Sequence, residues 1–172
     1  MWDPIGEGCS WYCGGGPKKV TASSFLKTQG DYSYEPSNAH DFNYKTAWVE
    51  GVKGYGIGEF LTYEFTRNSP RINQINIANG YVKSKSAYLN NSRVKKLKMY
   101  VFGKPYAILH LKDIISEQSF EIDPIGHLQR KSENILDEED NWEIKFEILE
   151  VYQGEKYDDV DNSEIYFDGL EV

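Results

Sequence analysis

Residues 41–59 read DFNYKTAWVEGVKGYGIGE, and the segment at 59–65 that follows reads EFLTYEF. Asp41 and the hydroxyl of Thr46, together with backbone carbonyls, are the hard oxygen ligands that a calcium ion takes. Trp48 is suited to fill the core beneath them, and the glycines after it allow turns in which a Cβ would clash. In the segment at 59–65, apolar and polar residues alternate. This alternation predicts a strand rather than a helix.

The same alternation recurs along the chain, most clearly from Trp142 to Ile148, and its parity then shifts at Leu149 and Val151. The shift predicts a β-bulge. Many short strands at regular spacing, without a convincing helical period, predict an all-β sandwich or jelly roll. With 172 residues, the chain is long enough for one full core. We expect an irregular arm at 1–19 and a single β-sandwich domain at 20–172.

Composition and motifs exclude several classes of protein. With a net charge of −8, the chain lacks the basic surface that a nucleic-acid binder needs. No apolar run reaches membrane-spanning length. The glycines at 54, 56 and 58 open a strand instead of a helix, so they do not form a dinucleotide fingerprint. No catalytic motif is found. The 27 acidic residues make chance carboxylate pairs common, so we predict that the protein is not an enzyme, with a hydrolase as a remote third class.

The two cysteines, Cys9 and Cys13, lie in the glycine-rich stretch GCSWYCGGG. As an isolated pair in a flexible segment, they favour a small local disulfide over free thiols, and a disulfide implies an oxidising compartment. Residues 1–16 contain neither the basic nor the apolar region of a signal peptide. Either a leader has been removed or the protein is cytosolic. The disulfide favours a secreted, cell-surface or periplasmic location.

The segment 41–65 resembles the first loop of discoidin-like, galactose-binding β-sandwich domains, which share Asp-x-Asn-x-x-Thr-x-Trp, a glycine loop and an alternating strand. The string TAWVEGVKGYGIGE at 46–59 resembles the subgroup of NADase-type glycan-binding domains. Further similar segments are NGYVKS at 79–84, NSRVKKLKMY at 91–100 and FEILEVYQGEKYDD at 146–159. The resemblance spans nearly all of residues 20–170 and implies a jelly-roll β-sandwich of the galactose-binding type.

Discoidin-like domains commonly bind calcium between this first loop and an acidic residue near the last strand. By that resemblance, Asp41 and Thr46 would supply side chains, Asn43 a backbone carbonyl and Glu164 a carboxylate. Phe42 departs from the pattern, because those domains usually have glycine there. The alternative is that Asp41 and Thr46 only form a hydrogen-bonded turn. We expect calcium as a structural ion.

Aromatic and polar residues on three predicted loops are the candidates for binding a ligand. Sugar rings stack on flat aromatic faces, and their hydroxyls pair with charged and amide groups. The candidates are Glu50, Tyr55, Tyr81, Tyr88, Asn91 and Arg93. Each of them could instead be a core residue. We predict a monomeric, non-catalytic module that recognises carbohydrate at a cell surface or targets a partner, with adhesion to protein or lipid headgroups as the alternative.

Overall fold

The fold is built almost entirely of β-strands. The computed structural model describes residues 11–128 and 140–169, and the described part contains nine strands, one short helix and two 3₁₀ turns. The strands are β1 (Lys19–Ala22), β2 (Trp48–Val49), β3 (Phe60–Phe65), β4 (Ile72–Asn79), β5 (Ser92–Val101), β6 (Lys104–His110), β7 (Glu117–Ile125), β8 (Trp142–Tyr152) and β9 (Val160–Gly169). The helix α1 is Lys85–Asn90, and the 3₁₀ turns are Trp11–Gly14 and Pro36–His40. Among the helices of these ranges, none is long and apolar enough to cross a membrane.

The strands form two antiparallel groups. One group has the order β1-β3-β8-β5-β6, and the other has the order β2-β9-β4-β7. They meet where Ser92 and Arg93 of β5 pair in parallel with Val160 and Asp161 of β9. This short pairing continues one group into the other, next to the loops that precede β5 and β9.

Aromatic rings from both groups pack together in the core. Phe167 of β9 lies 5.1 Å from Tyr63 and 5.2 Å from Phe65, both on β3, and 6.5 Å from Phe146 on β8, measured between ring centroids. The two groups therefore stack face to face. This confirms the predicted all-β sandwich, which alternating apolar residues specify because every second side chain faces the core.

Trp48 and Trp142 are both buried, as the sequence predicts. Trp11 is buried as well, and its indole nitrogen donates a hydrogen bond to the carbonyl of Pro70 at 3.1 Å. The part of the predicted N-terminal arm that the structure describes thus contributes to the core. The predicted disulfide stays a prediction, because Cys9 and the side chain of Cys13 lie outside the described residues.

The strand after Trp142 is irregular where the sequence predicts a bulge. Lys96 of β5 pairs with Glu150, out of step with the pairs Leu97–Ile148 and Val94–Val151 on either side, which share one register. The chain from Glu117 to Ile125 forms one continuous strand, β7, which includes Asp123 and Pro124. Because β7 is an edge strand, Pro124 is tolerated without a hydrogen-bonding N–H.

One helix was not predicted, because the segment 80–92 looked like a loop. Helix α1 begins after Ser84, whose hydroxyl oxygen accepts a hydrogen bond from the backbone N–H of Ala87 at 3.1 Å. Asn91 caps its C-terminal end, and the N–H of Asn91 donates to the carbonyl of Ala87. With six residues, α1 is too short for a helical period to show in the sequence.

Candidate functional site

A cavity of about 280 Å³ opens at the end of the sandwich where β9 begins. Its wall combines aromatic rings, carboxyl and amide groups and two aliphatic side chains. The lining residues are Leu26, Gln29, Tyr34, Val49, Tyr81, Asn91, Tyr157, Asp159 and Asp161. The wall is slightly more polar than apolar, whereas typical pockets for small molecules are lined mainly by apolar groups.

Asp161 is the most buried acidic residue of this wall. The second residue of β9, it pairs with Val49 of β2 on one side and Arg93 of β5 on the other. Its exposed fraction is 1%, and neither carboxyl oxygen has a hydrogen-bond partner in the described part of the chain. Burial raises the pKa of Asp161 well above its ordinary value, and the charges of Asp159 and Glu50 raise it further.

The tyrosines of the cavity are fixed to different degrees. Tyr81 is buried, its hydroxyl donates to the carbonyl of Lys45 at 3.3 Å, and burial raises its pKa to about 12. Tyr157 exposes 46% of its surface. Its backbone N–H donates to the carbonyl of Asn90 at 2.8 Å, and its own carbonyl accepts from the hydroxyl of Ser92 at 3.1 Å. The loop holding Tyr157 is thus anchored, and its exposed ring has the ammonium of Lys156 5.2 Å from its centroid.

Two of the six residues predicted to bind ligand line this cavity, namely Tyr81 and Asn91. The amide nitrogen of Asn91 donates to the carbonyl of Ala87 at 3.0 Å, so one side of the amide is occupied by the end of α1. Tyr55 is exposed on the glycine loop and is not part of the cavity wall.

Glu50, another predicted ligand residue, is completely buried. Its carboxylate accepts hydrogen bonds from the backbone N–H groups of Val52 at 2.8 Å and Val160 at 3.4 Å. Gly56 packs against it with φ +58°, and a Cβ at this position would lie 2.6 Å from the Glu50 Cγ. Burial raises the pKa of Glu50. Glu50 therefore connects the glycine loop to β9, and its contact with a ligand stays a prediction.

Tyr88 and Arg93, the remaining predicted ligand residues, are buried beside each other. Arg93 donates two hydrogen bonds of 2.8 Å to the carboxylate of Asp113, and a third, also of 2.8 Å, to the carbonyl of Asn91. The hydroxyl of Tyr88 donates to Asp113 at 2.8 Å. The Asp113 carboxylate raises the pKa of Arg93. The hydrogen bonds from Arg93 in turn lower the pKa of Asp113 below its ordinary value. This cluster fixes α1 to β5, and its contact with a ligand also stays a prediction.

Sequence reasoning missed most of the wall, including Tyr34, Tyr157, Asp159 and Asp161. Polar residues occupy every position from Asp161 to Glu164, and all four are buried. A run of polar residues that begins a strand is the signal that could have revealed a site there, because buried polar groups require partners.

The residues predicted to bind calcium lie together between the end of the Pro36–His40 turn and β9. The hydroxyl of Thr46 lies 2.7 Å from Asp41 Oδ2 and 2.8 Å from the carbonyl oxygen of Asn43. Glu164 Oε1 accepts from the N–H groups of Asp41 and Asn43 at 3.2 and 3.1 Å. The alternative turn is present too, since the N–H of Asn43 donates to Asp41 Oδ1 at 2.9 Å.

Glu164 provides the test of whether a cation fits. Its Oε2 is buried and has no hydrogen-bond partner among the described residues. Burial and a hydrogen bond with Asp41 raise its pKa to about 8. Two adjacent carboxyls, a hydroxyl and a carbonyl are the hard oxygen ligands that calcium accepts. In the described ranges, no three His, Cys, Asp or Glu side chains lie together, so neutral oxygens would complete the coordination. The residues fit a calcium ion.

Phe42 shows how the loop accommodates its departure from the glycine pattern. Its φ is +56°, in the left-handed region that glycine adopts without strain. Its ring lies 5.1 Å from Tyr12 and 5.3 Å from His40 in edge and tilted contacts. These aromatic contacts offset the backbone strain, and the loop keeps its shape.

Residues 11–168 match the model of the family described as NAD glycohydrolase translocation F5/8 type C domain. The chain belongs to this family. The match spans both strand groups, including the cavity wall and the Asp41 loop, and confirms the resemblance to discoidin-like domains of the NADase type. No curated protein sequence matches this member of the translocation domain family.

Solved structures share the fold of this translocation-family domain. A Clostridium perfringens protein described as CpGH89CBM32-5, in complex with GalNAc-beta-1,3-galactose, is 15% identical with a TM-score of 0.60 and covers 88% of this chain and 94% of its own. The family 32 CBM from C. perfringens NanJ, in complex with galactose, is 16% identical with a TM-score of 0.56, covering 87% and 91%. The CBM32-1 and CBM32-2 domains of C. perfringens ZmpB are 12% identical with a TM-score of 0.61, covering 90% and 35%. These likenesses concern the fold.

Proposed function

We propose that the chain is a non-catalytic module that binds a glycan in the cavity at the start of β9. The observation that carries this proposal is the cavity wall itself. It places the rings of Tyr34, Tyr81 and Tyr157 around carboxyl and amide groups. Rings supply stacking surface for a sugar, and the polar groups accept hydrogen bonds from its hydroxyls.

The similar structures support a carbohydrate ligand. Two of them are described in complex with galactose or with a galactose-containing disaccharide. The description of the family as a translocation domain supports a secreted or cell-surface setting, in which the module targets a partner protein. A cavity of about 280 Å³ lies at the lower end of the range of about 300–1,000 Å³ for small-molecule sites, so it suits about one sugar ring.

Tyr157→Ala is expected to weaken glycan binding roughly 5- to 30-fold, which corresponds to about 1–2 kcal/mol. Its ring is the most accessible stacking surface of the cavity, because Tyr81 is buried. Tyr106→Ala is the matched control, since Tyr106 is 40% exposed but lies on β6. Titration of a glycan selected on an array measures both variants by calorimetry.

Equal affinity of the Tyr157 and Tyr106 variants would place the site elsewhere. Tyr55→Ala tests the prediction from sequence in the same titration. If it weakens binding while Tyr157→Ala does not, the glycine loop is the binding surface. If the chain binds a protein or a lipid but no glycan, the alternative of an adhesion module replaces the proposal.

We propose further that Asp41, Asn43, Thr46 and Glu164 hold a calcium ion. Calcium would neutralise the two carboxyls and connect the Asp41 loop to β9. Because it would bind the folded chain, calcium about 100-fold above its Kd is expected to stabilise the fold by about 2.7 kcal/mol. This corresponds to a rise in Tm of roughly 5–10 °C.

Scanning calorimetry with calcium and with chelator measures this rise. Glu164→Gln is expected to abolish it, whereas Asp31→Asn, an exposed carboxylate on the preceding loop, is the control that retains it. Identical melting curves with calcium and with chelator would leave Asp41 and Thr46 as a hydrogen-bonded turn only.

A further inference from the structure

The buried carboxyl of Asp161 lacks a partner of its own in the described chain. Both oxygens are without hydrogen bonds, although the side chain lines the cavity. A buried carboxyl without a partner is unfavourable, because it has lost the hydrogen bonds that water gave it. A ligand in the cavity is the group that can supply the missing hydrogen-bond donors.

The surroundings of Asp161 are acidic. Asp159 lines the same cavity, and the charges of Asp159 and Glu50 both act on Asp161. No lysine or arginine belongs to the cavity wall among the described residues. Arg93, opposite Asp161 in the strand register, directs its guanidinium to Asp113. Among the described residues, the wall therefore holds two acidic side chains and no basic one.

Two lysines, Lys83 and Lys156, lie near the rim without belonging to the wall, and the ammonium of Lys156 lies 5.2 Å from the ring centroid of Tyr157. The ammonium of Lys83 lies 4.5 Å from the ring centroid of Tyr32 and 5.1 Å from that of Tyr81. In the described part of the chain it forms no ion pair with Asp161. The aromatic rings at this end thus already hold ammonium groups by cation–π contact, which shows that they are compatible with a cation.

We propose that this cavity selects glycans that carry a free amino group, such as a 2-amino-2-deoxy sugar, over neutral and N-acetylated sugars. The inference rests on the proposed glycan function and specifies its ligand. The protonated amine would donate N–H groups to both oxygens of Asp161, while the sugar ring stacks on a tyrosine.

An amine fits this wall better than the other common substituents of a sugar. A hydroxyl donates one hydrogen bond and carries no charge, so it does not offset the negative charge of Asp161 and Asp159. An acetamide donates one N–H and adds a methyl and a carbonyl, whose oxygen would be repelled by the carboxyls. An ammonium has three donors and a positive charge, and hydrogen bonds between charged groups are about twice as strong as neutral ones.

Calorimetric titration of the full chain with methyl glycosides tests the selectivity. The probes are glucosamine and galactosamine, their N-acetylated forms, and glucose and galactose. We expect an amino sugar to bind about tenfold or more tightly than its neutral and acetylated counterparts. Asp161→Asn, which keeps the size of the side chain, is expected to remove this preference. Asp158→Asn, an exposed neighbour outside the cavity wall, is expected to retain it within about twofold.

The outcomes separate this inference from the proposed function. If neutral or acetylated sugars bind with sensitivity to Tyr157→Ala and amino sugars bind no better, the amine selectivity is wrong and the glycan function stands. If no sugar of any kind binds, the glycan function is wrong and the selectivity falls with it. A preference for amines that survives Asp161→Asn would contradict the assignment to Asp161.

The pH dependence of the native chain gives a second measurement that needs no variant at Asp161. Burial and the charges of Asp159 and Glu50 hold the pKa of Asp161 above its ordinary value, so at low pH the carboxyl is protonated. Affinity for an amino sugar should then rise as the pH increases from the acidic range and Asp161 ionises, for as long as the amine stays charged. A flat profile, identical to that of the N-acetylated sugar, would contradict the proposal.

Discussion

Phe167→Ala is expected to lower the free energy of unfolding by about 3–5 kcal/mol. The side chain is 1% exposed, and its ring contacts Tyr63 and Phe65 across the sandwich. Alanine would leave a cavity where the two strand groups meet, so stacking and burial are lost together. Because native domains are stable by about 5–15 kcal/mol, this is a large share of the total. Urea unfolding followed by tryptophan fluorescence measures it.

Phe25→Ala is the matched control for this substitution. Phe25 is 48% exposed, so the same chemical change should alter the free energy of unfolding by about 0.5 kcal/mol or less. A loss at Phe167 no larger than that at Phe25 would show that the two strand groups do not share one core.

Arg93→Ala is expected to destabilise the fold by about 3 kcal/mol, near the lower end for a broken buried ion pair. The guanidinium is buried and donates to Asp113 and to the carbonyl of Asn91. Its removal would leave these acceptors without their donor. Asp113 is partly exposed, so water would compensate in part. Since Asn91 lines the cavity, glycan affinity should fall at temperatures where part of the protein has unfolded.

Lys95→Ala is the control for this ion pair. Lys95 lies 3.8 Å from Glu150, and both side chains are close to half exposed, so its removal should cost less than about 1 kcal/mol. Chemical denaturation of both variants gives the comparison. If Arg93→Ala weakened binding without changing stability, Arg93 would be a ligand residue, as the sequence predicts.

The sandwich could be predicted from the sequence because its strands alternate. Tyr63 and Phe65 lie on one face of β3, and Ile144, Phe146 and Ile148 lie on one face of β8, and all are buried. Such periodicity is a local property of the chain. Helix α1 was not predicted because its six residues are too few to show a helical period. The Ser84 cap and contacts with β5 stabilise it instead.

The site was harder to predict because its chemistry depends on distant partners. Arg93 and Glu50 looked like exposed polar groups, since charged residues are usually at the surface. Asp113, twenty residues further on, makes the burial of Arg93 possible, and the N–H of Val160 does the same for Glu50. Tyr81 and Asn91, on either side of α1, line the cavity wall, and their contact with a ligand stays a prediction.

The course of β9 determines how the module can be attached to something else. Asp161 at its start lines the cavity, while Gly169 at its end packs beside Trp11, where an added Cβ would come within 2.8 Å of the indole ring. The eight residue-to-residue steps between them span roughly 25 Å of strand. A bead, a sensor surface or another protein attached next to Gly169 would thus sit at the opposite end of β9 from the cavity. Immobilised copies would then present the cavity outward, and the method of attachment would not obstruct it.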